Sequence, residues 1–256
     1  MLELYKYRDL IAALVSRELK VRYRRSAIGF LWTMLQPLLT MLVLQVVFSS
    51  LFSFRLAFGN YVVFALAGIL FWNFFSQSIV ASMNSLKANS ALLKKLPVPK
   101  EVFPLATVIS GVVNLSLALV PLFLLLLVTG HPLTPALFFL PVAILLAAVF
   151  TLGAGLLLSP LAVFFSDVVE LVTVLLSVLM YLTPVIYPME IIPEKYKWIV
   201  RFNPVRSILE VFRDPIYQGE IPPLSHLSVC VGIAVLALVV GAVAFRKSSD
   251  RIPFYI

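Results

Sequence analysis

Residues 102–166 read VFPLATVISGVVNLSLALVPLFLLLLVTGHPLTPALFFLPVAILLAAVFTLGAGLLLSPLAVFFS, a stretch without a single Asp, Glu, Lys or Arg. A helix needs about 20 apolar residues to cross the hydrocarbon core of a bilayer, so this stretch is long enough for two. Its middle, residues 129–135 (TGHPLTP), has the Gly and Pro residues typical of a turn. Because one charge at a helix centre costs about 2.5–3.5 kcal/mol on insertion, the stretch predicts two membrane-spanning helices joined by a tight turn.

The remaining charge-free stretches have similar lengths. Charged residues make up 12% of the chain and hydrophobic residues 61%, whereas soluble domains carry about a quarter charged residues. A buried soluble helix bundle is the alternative, but six stretches of bilayer length without a central charge argue against it. We therefore expect an all-α integral membrane protein with a single domain, residues 1–256. Its six transmembrane helices are expected near residues 30–53, 61–84, 104–128, 136–164, 168–188 and 224–245.

Basic residues between the predicted spans set the expected orientation. Fourteen of them lie within residues 6–25, 87–100 and 246–251, which share one side of the membrane if there are six spans. The other side has six, at Arg55 and within residues 195–213, where acidic residues balance them. Because cytoplasmic loops are enriched in Lys and Arg, both termini are expected in the cytoplasm and the chain in the inner (plasma) membrane. The charged, amphipathic N-terminus gives no indication of a cleavable signal peptide.

An amphipathic interface helix is predicted at residues 1–27. At 100° per residue, its apolar side chains fall on one broad face and most charges fall opposite. Such a helix is typical of the membrane surface, where it either anchors the chain to anionic lipid or clamps a partner or substrate. Glu18 and Arg22 break the pattern at (i, i+4) spacing, so we expect them to pair with each other or with a neighbouring span. The candidate residues of this helix are Arg17, Glu18, Arg22 and Arg24.

Residues 85–100 form the second connection, on the expected cytoplasmic side. A short helix from about Ser85 to Leu96 is predicted, because Pro97 disfavours helical conformation in the residue before it. Leucines on a cytoplasmic helix favour docking into another surface, and a lysine-rich loop without a partner is the alternative. These leucines are Leu86, Leu92, Leu93 and Leu96.

Residues 190–218 precede the last span and are expected to hold two helices too short to cross the membrane. Pro193 is expected to open the first, and Asn203-Pro204 to separate it from a second that runs from about Val205 to Tyr217. Both are expected as periplasmic re-entrant helices that lie at or dip into the outer leaflet.

These two helices are either a gate or a plain surface cap. Glu210 has spacings that allow ion pairs with both Arg206 and Arg213. The candidate gate residues are Arg206, Glu210 and Phe212.

The sequence lacks the sequence motifs of an ATPase or of a hydrolase. It has no Gly-x-x-x-x-Gly-Lys-Ser/Thr phosphate loop, no Gly-x-Ser-x-Gly or His-Glu-x-x-His, and no Cys/His pattern for a metal. Ionisable residues are missing from span centres, where ion-coupled carriers commonly place them. Basic residues flank spans rather than forming a soluble basic face, so no nucleic-acid partner is expected. We expect no enzyme activity, no metal and no cofactor on this chain, and hence an external source of energy.

Aromatic residues are plentiful near the ends of the predicted spans. Aromatic belts at the membrane interface account for most of them. The alternative is that some line a conduit and offer flat faces to sugar rings. The candidates for that role are Phe48, Phe52, Trp72, Tyr181 and Tyr187.

Several segments resemble one known family. The first are residues 8–11 (RDLI), 14–24 (LVSRELKVRYR), 29–32 (GFLW) and 36–38 (QPL). Further along come Asn89 with residues 92–95 (LLKK), residues 165–167 (FSD), residues 182–187 (LTPVIY) and Asn203-Pro204. In order and spacing they are similar to the membrane subunit of type-2 ABC exporters that move polysaccharides, the O-antigen and teichoic-acid exporters in particular. Ser166 departs from the family pattern, in which an Arg precedes the Asp.

The resemblance implies a homodimer of six-span subunits that works with two copies of a separate ABC ATPase, which binds the ATP and Mg. It implies a lipid-linked polysaccharide as cargo, moved from the cytoplasmic to the periplasmic side. It also implies a coupling helix within residues 85–100, with the N-terminal helix beside it, and a periplasmic gate within residues 190–218. The residues that couple to the ATPase would be Asn89, Leu92, Leu93, Lys94, Lys95 and Asp167.

Two other functions fit parts of the sequence. The same architecture also exports drugs or small lipids, and only the cargo discriminates between these possibilities. A membrane glycosyltransferase would need paired acids for a metal-bound sugar donor, and the acids of residues 190–220 show no clustered pair.

Overall fold

The computed structural model describes residues 6–23, 31–50, 61–95 and 98–255, and over these ranges it contains helices and short connections but no β-strand. The all-α prediction is confirmed for this part of the chain. In order, the α-helices are α1 (Arg8–Tyr23), α2 (Leu31–Ser50), α3 (Tyr61–Ala88), α4 (Ser90–Lys95), α5 (Val102–Val128), α6 (Leu140–Phe164), α7 (Val168–Leu182), α8 (Glu194–Arg201), α9 (Pro204–Tyr217) and α10 (Leu224–Ser249).

Four of the described helical segments are long and apolar enough to cross a membrane: Tyr61–Ala88, Val102–Val128, Pro135–Phe164 and Leu224–Ser249. The first predicted span coincides with α2, a helix of 20 residues. The fifth was predicted too long, because α7 ends at Leu182 and has 15 residues, about 22 Å of helix. The count of six spans stays a prediction.

The turn predicted in the middle of the long charge-free stretch is confirmed. Gly130 takes a positive φ of 66°, and its N–H bonds to the Leu127 carbonyl while His131 N–H bonds to the Leu126 carbonyl. This pair of bonds is the Schellman arrangement that closes a helix C-terminus, and it needs a left-handed residue that Gly supplies without strain. The chain then enters a 3-10 turn, Pro135–Phe139, that leads directly into α6.

Helix α3 lies at the centre of the bundle. It packs against α5, α6 and α9, with Phe64 and Phe71 in contact with aromatic side chains of α9, and it is the most buried of the four long apolar segments. On the far side of α6 lies α10, at a distance that only small residues allow. A Cβ added at Gly241 would stand 2.1 Å from the Gly153 carbonyl oxygen, so these helices meet as close-packed apolar helices in membranes commonly do.

The bundle has two ends, which we call the α4 end and the α9 end after the helices found there. At the α4 end, α1 docks against α5 through the apolar face predicted from the sequence. Leu14 is buried there in a cluster with Phe103 and Phe245, and Leu10 and Val15 pack at its edge. Toward the C-terminus of α1 the Val21 side chain is exposed, and the role of α1 as an interface helix stays a prediction.

The helix predicted from Ser85 to Leu96 is in fact divided between two elements. Ser85 belongs to the last turn of α3, which continues to Ala88, and Asn89 forms a turn before α4 begins. Local propensity could not show this break, because residues 85–95 contain neither Gly nor Pro. Residues 96 and 97 lie outside the described ranges.

Candidate functional site

Asn89, a candidate coupling residue, is held from both sides at the junction of α3 and α4. Its Oδ1 accepts a hydrogen bond from Arg17 Nη2 at 2.7 Å, and its Nδ2 donates to the Ser85 carbonyl at 2.8 Å. Its own carbonyl accepts the N–H groups of Leu92 and Leu93, each at 3.0 Å, and so begins α4. The structure thus brings together two residues, Arg17 and Asn89, that the sequence placed in separate groups.

The side chains of α4 divide into two sets. Leu92 and Leu93 are half-buried and pack on the cluster formed by Leu14 and Phe103 of the same chain, so part of their apolar surface is already used. Lys94 and Lys95 are exposed. The exposed surface of α4 therefore carries these lysines rather than the leucines.

Asp167, the remaining coupling candidate, lies at the same end of the bundle, between α6 and α7. It is exposed and precedes α7, and its Oδ1 accepts a hydrogen bond from Ser166 Oγ at 2.9 Å. Ser166 therefore contacts the Asp as a hydroxyl donor, where the family pattern would have an Arg.

A polar cleft of about 420 Å³ opens between α1, α2, α3 and α5. Its wall carries amides and hydroxyls from α2, α3 and α5 among apolar side chains such as Leu70 and Leu115, and Arg17 and Glu18 stand at the α4 end. The sequence analysis did not predict this cleft, because it considered only the charged and aromatic residues of the predicted spans. The signal that could have found it is the position of polar uncharged residues on one face of α3. The residues that define the cleft are Gln36, Asn73, Gln77, Ser78, Ser110 and Asn114.

At the α9 end, the side chains of three residues distant in sequence hold the irregular backbone between α7 and α8 in place. Asn203 Nδ2 donates to the Leu182 carbonyl at 3.3 Å, Arg213 Nη1 to the Pro184 carbonyl at 2.8 Å, and Tyr61 Oη to the Ile186 carbonyl at 2.6 Å. Buried carbonyls outside a helix need such partners. Residues 183–187 are therefore a loop attached to both α9 and α3, which the sequence did not predict.

The candidate gate residues lie on α9, the more buried of the two short helices. Arg206 Nε and Glu210 Oε1 form the predicted ion pair at 2.7 Å, and His226 Nε2 stands 3.8 Å from the other oxygen of Glu210. Phe212 is fully buried, with its ring centroid 5.8 Å from that of Phe71. The second pairing expected for Glu210 was wrong, because the Arg213 guanidinium turns to the Pro184 carbonyl instead.

Two neighbouring charges on α9 are strongly affected by burial. Burial raises the pKa of the Asp214 carboxyl to about 6, and Glu210 adds to the rise. Burial lowers the pKa of the Arg213 guanidinium to about 10, which leaves it charged at neutral pH. The guanidinium carbon lies 3.9 Å from the centroid of the Phe64 ring, so the buried cation has an aromatic face as well as a carbonyl.

Of the candidate conduit aromatics in the described part of the chain, Tyr181 and Tyr187 contact each other, whereas Trp72 packs elsewhere. Trp72 is only 5% exposed and packs against Phe75, with ring centroids 5.7 Å apart. Tyr181 is 73% exposed, and its carbonyl accepts a hydrogen bond from the Tyr187 hydroxyl. The Phe48 side chain and Phe52 lie outside the described residues, and a conduit role for these aromatics stays a prediction.

The predicted pair of Glu18 and Arg22 remains a prediction too. Glu18 is half-buried and lines the polar cleft. The Arg22 side chain and Arg24 lie outside the described residues.

Comparison with known proteins places this arrangement in a family. Residues 9–217 match the family described as ABC-2 type transporter. An O-antigen export system permease protein RfbA of Myxococcus xanthus is 32% identical over 251 residues, 97% of this chain and 96% of that protein. A Klebsiella pneumoniae protein of the same name is 30% identical over 95% of this chain and 93% of its own length.

A more distant relative has a different cargo in its name. The polysialic acid transport protein KpsM of Escherichia coli is 24% identical over 94% of this chain and 93% of its own length. The matches to all three relatives run nearly from end to end, so they include α3, α4, the polar cleft and α9. The chain belongs to the membrane family of ABC-2 type transporters.

Proposed function

We propose that the chain is the membrane-spanning subunit of an ATP-driven exporter that moves a lipid-linked polysaccharide from the cytoplasmic to the periplasmic side. Two copies form the conduit, and two copies of a separate ATPase supply the energy. The observation that carries this proposal is the end-to-end similarity to permeases named for O-antigen and polysialic acid transport.

The proposed topology has six spans with both termini in the cytoplasm. Helices α2 and α7 complete the set begun by the four long apolar segments. The α4 end then faces the cytoplasm, which agrees with the excess of basic residues in the segments found there. In this orientation α1 lies along the cytoplasmic surface, and α8 and α9 enter the bundle from the periplasmic side as a gate.

The ATPase docks at α4 in this proposal. The helix is short and exposed, and Asn89 attaches its first turn to both α1 and α3, so a push on α4 reaches two other helices directly. Lys94 and Lys95 present two positive charges to the partner. ATP and Mg are bound by that partner.

Deletion of the gene tests the cargo. Loss of the surface polysaccharide, restored by the wild-type gene on a plasmid, is the expected outcome. An unchanged polysaccharide together with altered sensitivity to drugs would contradict the proposal and would favour the export of small molecules.

Charge reversal on α4 tests the docking. The double variant Lys94→Glu/Lys95→Glu is expected to lose copurification with the ATPase, because both side chains are exposed and their replacement leaves the packing of Leu92 and Leu93 intact. The matched control is Lys195→Glu/Arg201→Glu, the same change of charge on the exposed surface of α8 at the opposite end. Retention of the ATPase by the α4 variant would rule out this docking site.

A further inference from the structure

We infer that the polar cleft between α2, α3 and α5 binds the glycan part of the cargo, through hydrogen bonds from uncharged amides and hydroxyls to sugar hydroxyl groups. This inference rests on the proposed function and adds to it the site and the kind of recognition.

The first argument is the length and direction of the cleft. Its wall on α3 runs from Leu70 to Asn89, and the 16-residue interval from Asn73 to Asn89 corresponds to about 24 Å along a helix axis. The cleft therefore starts at the α4 end, where α1 borders it, and continues along α3. This helix is long and apolar enough to cross the membrane. A groove of this shape suits an extended chain rather than a compact ligand.

The second argument is the cost of the polar wall. Asn73 and Gln77 belong to a helix long and apolar enough to cross a membrane, and a polar group inside a bilayer needs a hydrogen-bonding partner. Each side-chain amide offers two donors and two acceptor sites, so it can keep a partner within the protein and still bind a ligand. Asn84, for example, gives one N–H to the Val80 carbonyl at 2.9 Å. Such a wall offers hydrogen-bonding groups to a hydroxyl-rich chain, beside apolar side chains such as Leu70 and Phe74.

The third argument is a buried hydroxyl in the floor of the cleft. Ser78 is only 3% exposed, and its Oγ has no hydrogen-bond partner among the described residues. A buried hydroxyl without a partner costs about 1–3 kcal/mol. The Ser78 hydroxyl packs closely against Gly111, since a Cβ at residue 111 would stand 2.2 Å from Ser78 Oγ. The pair of Ser78 and Gly111 thus places an unsatisfied hydroxyl at the wall of the cleft.

The fourth argument concerns charge and aromatic character. Among the described residues that line the cleft, the charged ones are Arg17 and Glu18, both at the α4 end. The deeper part carries amides and hydroxyls, which bind neutral hydroxyls without selecting an ion. Trp72, next to Asn73 in sequence, is buried against Phe75 rather than exposed in the cleft. Recognition here therefore depends on hydrogen bonds and not on stacking by Trp72.

Replacement of two amides by leucine tests the role of the cleft in export. The variant Asn73→Leu/Gln77→Leu removes two hydrogen-bonding side chains at similar volume, and we expect the rate of polysaccharide export to fall by about 10-fold. The membrane level of the subunit and its copurification with the ATPase should stay unchanged. The control is Ser116→Leu on α5, an exposed hydroxyl outside the cleft, which should export at the wild-type rate.

Cysteine labelling tests the cleft independently of the export assay and of how well the leucine variant folds. In a Cys230→Ser background, which removes the one native cysteine, Gln77→Cys and Ser116→Cys are compared with a membrane-impermeant maleimide. A thiol in a polar cleft ionises and reacts, whereas a thiol against lipid does not, so Gln77→Cys should react at least about 10-fold faster. Its labelling should decrease when an ATPase-inactive partner traps the cargo in the exporter.

The outcomes separate this inference from the proposed function. If gene deletion leaves the surface polysaccharide intact, the proposed function is wrong. If deletion removes the polysaccharide but the double leucine variant exports at the wild-type rate, or if trapped cargo leaves the labelling of Gln77→Cys unchanged, the cleft does not hold the glycan.

Discussion

Arg17 of α1 donates a hydrogen bond from Nη2 to Oδ1 of Asn89 at 2.7 Å, across 72 positions of sequence. At the other side of α4, Lys100 Nζ donates to the Ser249 carbonyl at the C-terminus of α10. The short helix that we propose as the ATPase contact is therefore flanked by two hydrogen bonds to different helices. A displacement of α4 would act on α1 through the first bond, whereas the second joins the segment before α5 to the end of α10.

The Arg17–Asn89 bond is expected to couple α1 to α4 energetically. Thermal or denaturant unfolding of purified wild type, Arg17→Met, Asn89→Leu and the double variant gives the coupling from a double-mutant cycle. Since the Arg17 side chain is largely exposed, we expect a coupling of about 0.5–1 kcal/mol rather than the larger value of a buried bond. Additive effects of the two substitutions would contradict it, and Lys20→Met, an exposed change on the same helix, is the control.

Removal of the Arg213 side chain is expected to destabilise the α9 end. Arg213→Ala leaves the Pro184 carbonyl without its 2.8 Å donor and opens space beside Phe64, at a cost of about 2–3 kcal/mol. Arg213→Lys keeps the charge but cannot reproduce the planar guanidinium over the ring, so we expect an intermediate loss. The measurement is the midpoint of thermal unfolding, with Arg201→Ala on the exposed side of α8 as control. An Arg213→Ala protein as stable as wild type would show that the loop is held by its other two bonds alone.

Asp214 is expected to make stability depend on pH. Its pKa in the folded protein, about 6, lies above the ordinary value of 3.8, so its contribution is fully present below about pH 4 and is lost as the pH rises through 6. Asp214→Asn is uncharged at every pH and should therefore be more stable than wild type at pH 7.5 and equal to it at pH 4. We expect a gain of about 1–2 kcal/mol at the higher pH, because partial exposure reduces the full value of the shift.

The control for this pH dependence is Asp250→Asn, since Asp250 is exposed at the end of α10. Thermal unfolding at the two pH values gives the comparison for both variants. An Asp214→Asn protein with the same pH profile as wild type would show that the carboxyl is not desolvated.

The contact between α6 and α10 is expected to be too close to accommodate even one added methyl group. In Gly241→Ala the new Cβ would stand 2.1 Å from the Gly153 carbonyl oxygen, so the helices must separate, at a cost of about 1–3 kcal/mol. Gly232→Ala on the same helix meets nothing within 4 Å and should be neutral or stabilising, because Ala is the better helix former. Unfolding temperatures of the two variants give the comparison, and equal values would contradict the close approach.

The approximate positions of the helical segments could be predicted from the distribution of charge along the chain. Charge-free stretches predicted the helices, and the residues 129–135 predicted the turn that Gly130 makes. Asn203 and Pro204 likewise predicted the start of α9, where the Asn203 side chain accepts the Val205 N–H at 3.0 Å. Such features are local, since a helix start, a turn and a bilayer-length apolar segment each depend on residues close together in sequence.

The polar cleft and the loop held at the α9 end depended on the tertiary structure. Ser78 meets Gly111, Arg17 meets Asn89, and Arg213 leaves its predicted partner for the Pro184 carbonyl. Each of these contacts joins residues of different helices, and the hydrophobic pattern is nearly uniform around the long helices, so it does not specify which faces meet. The sequence by itself determined that this chain forms apolar helices and, for most of them, roughly where they lie. Packing of those helices decided where its few polar side chains gather, because burying a polar group is tolerated only where another helix or a ligand provides its partner.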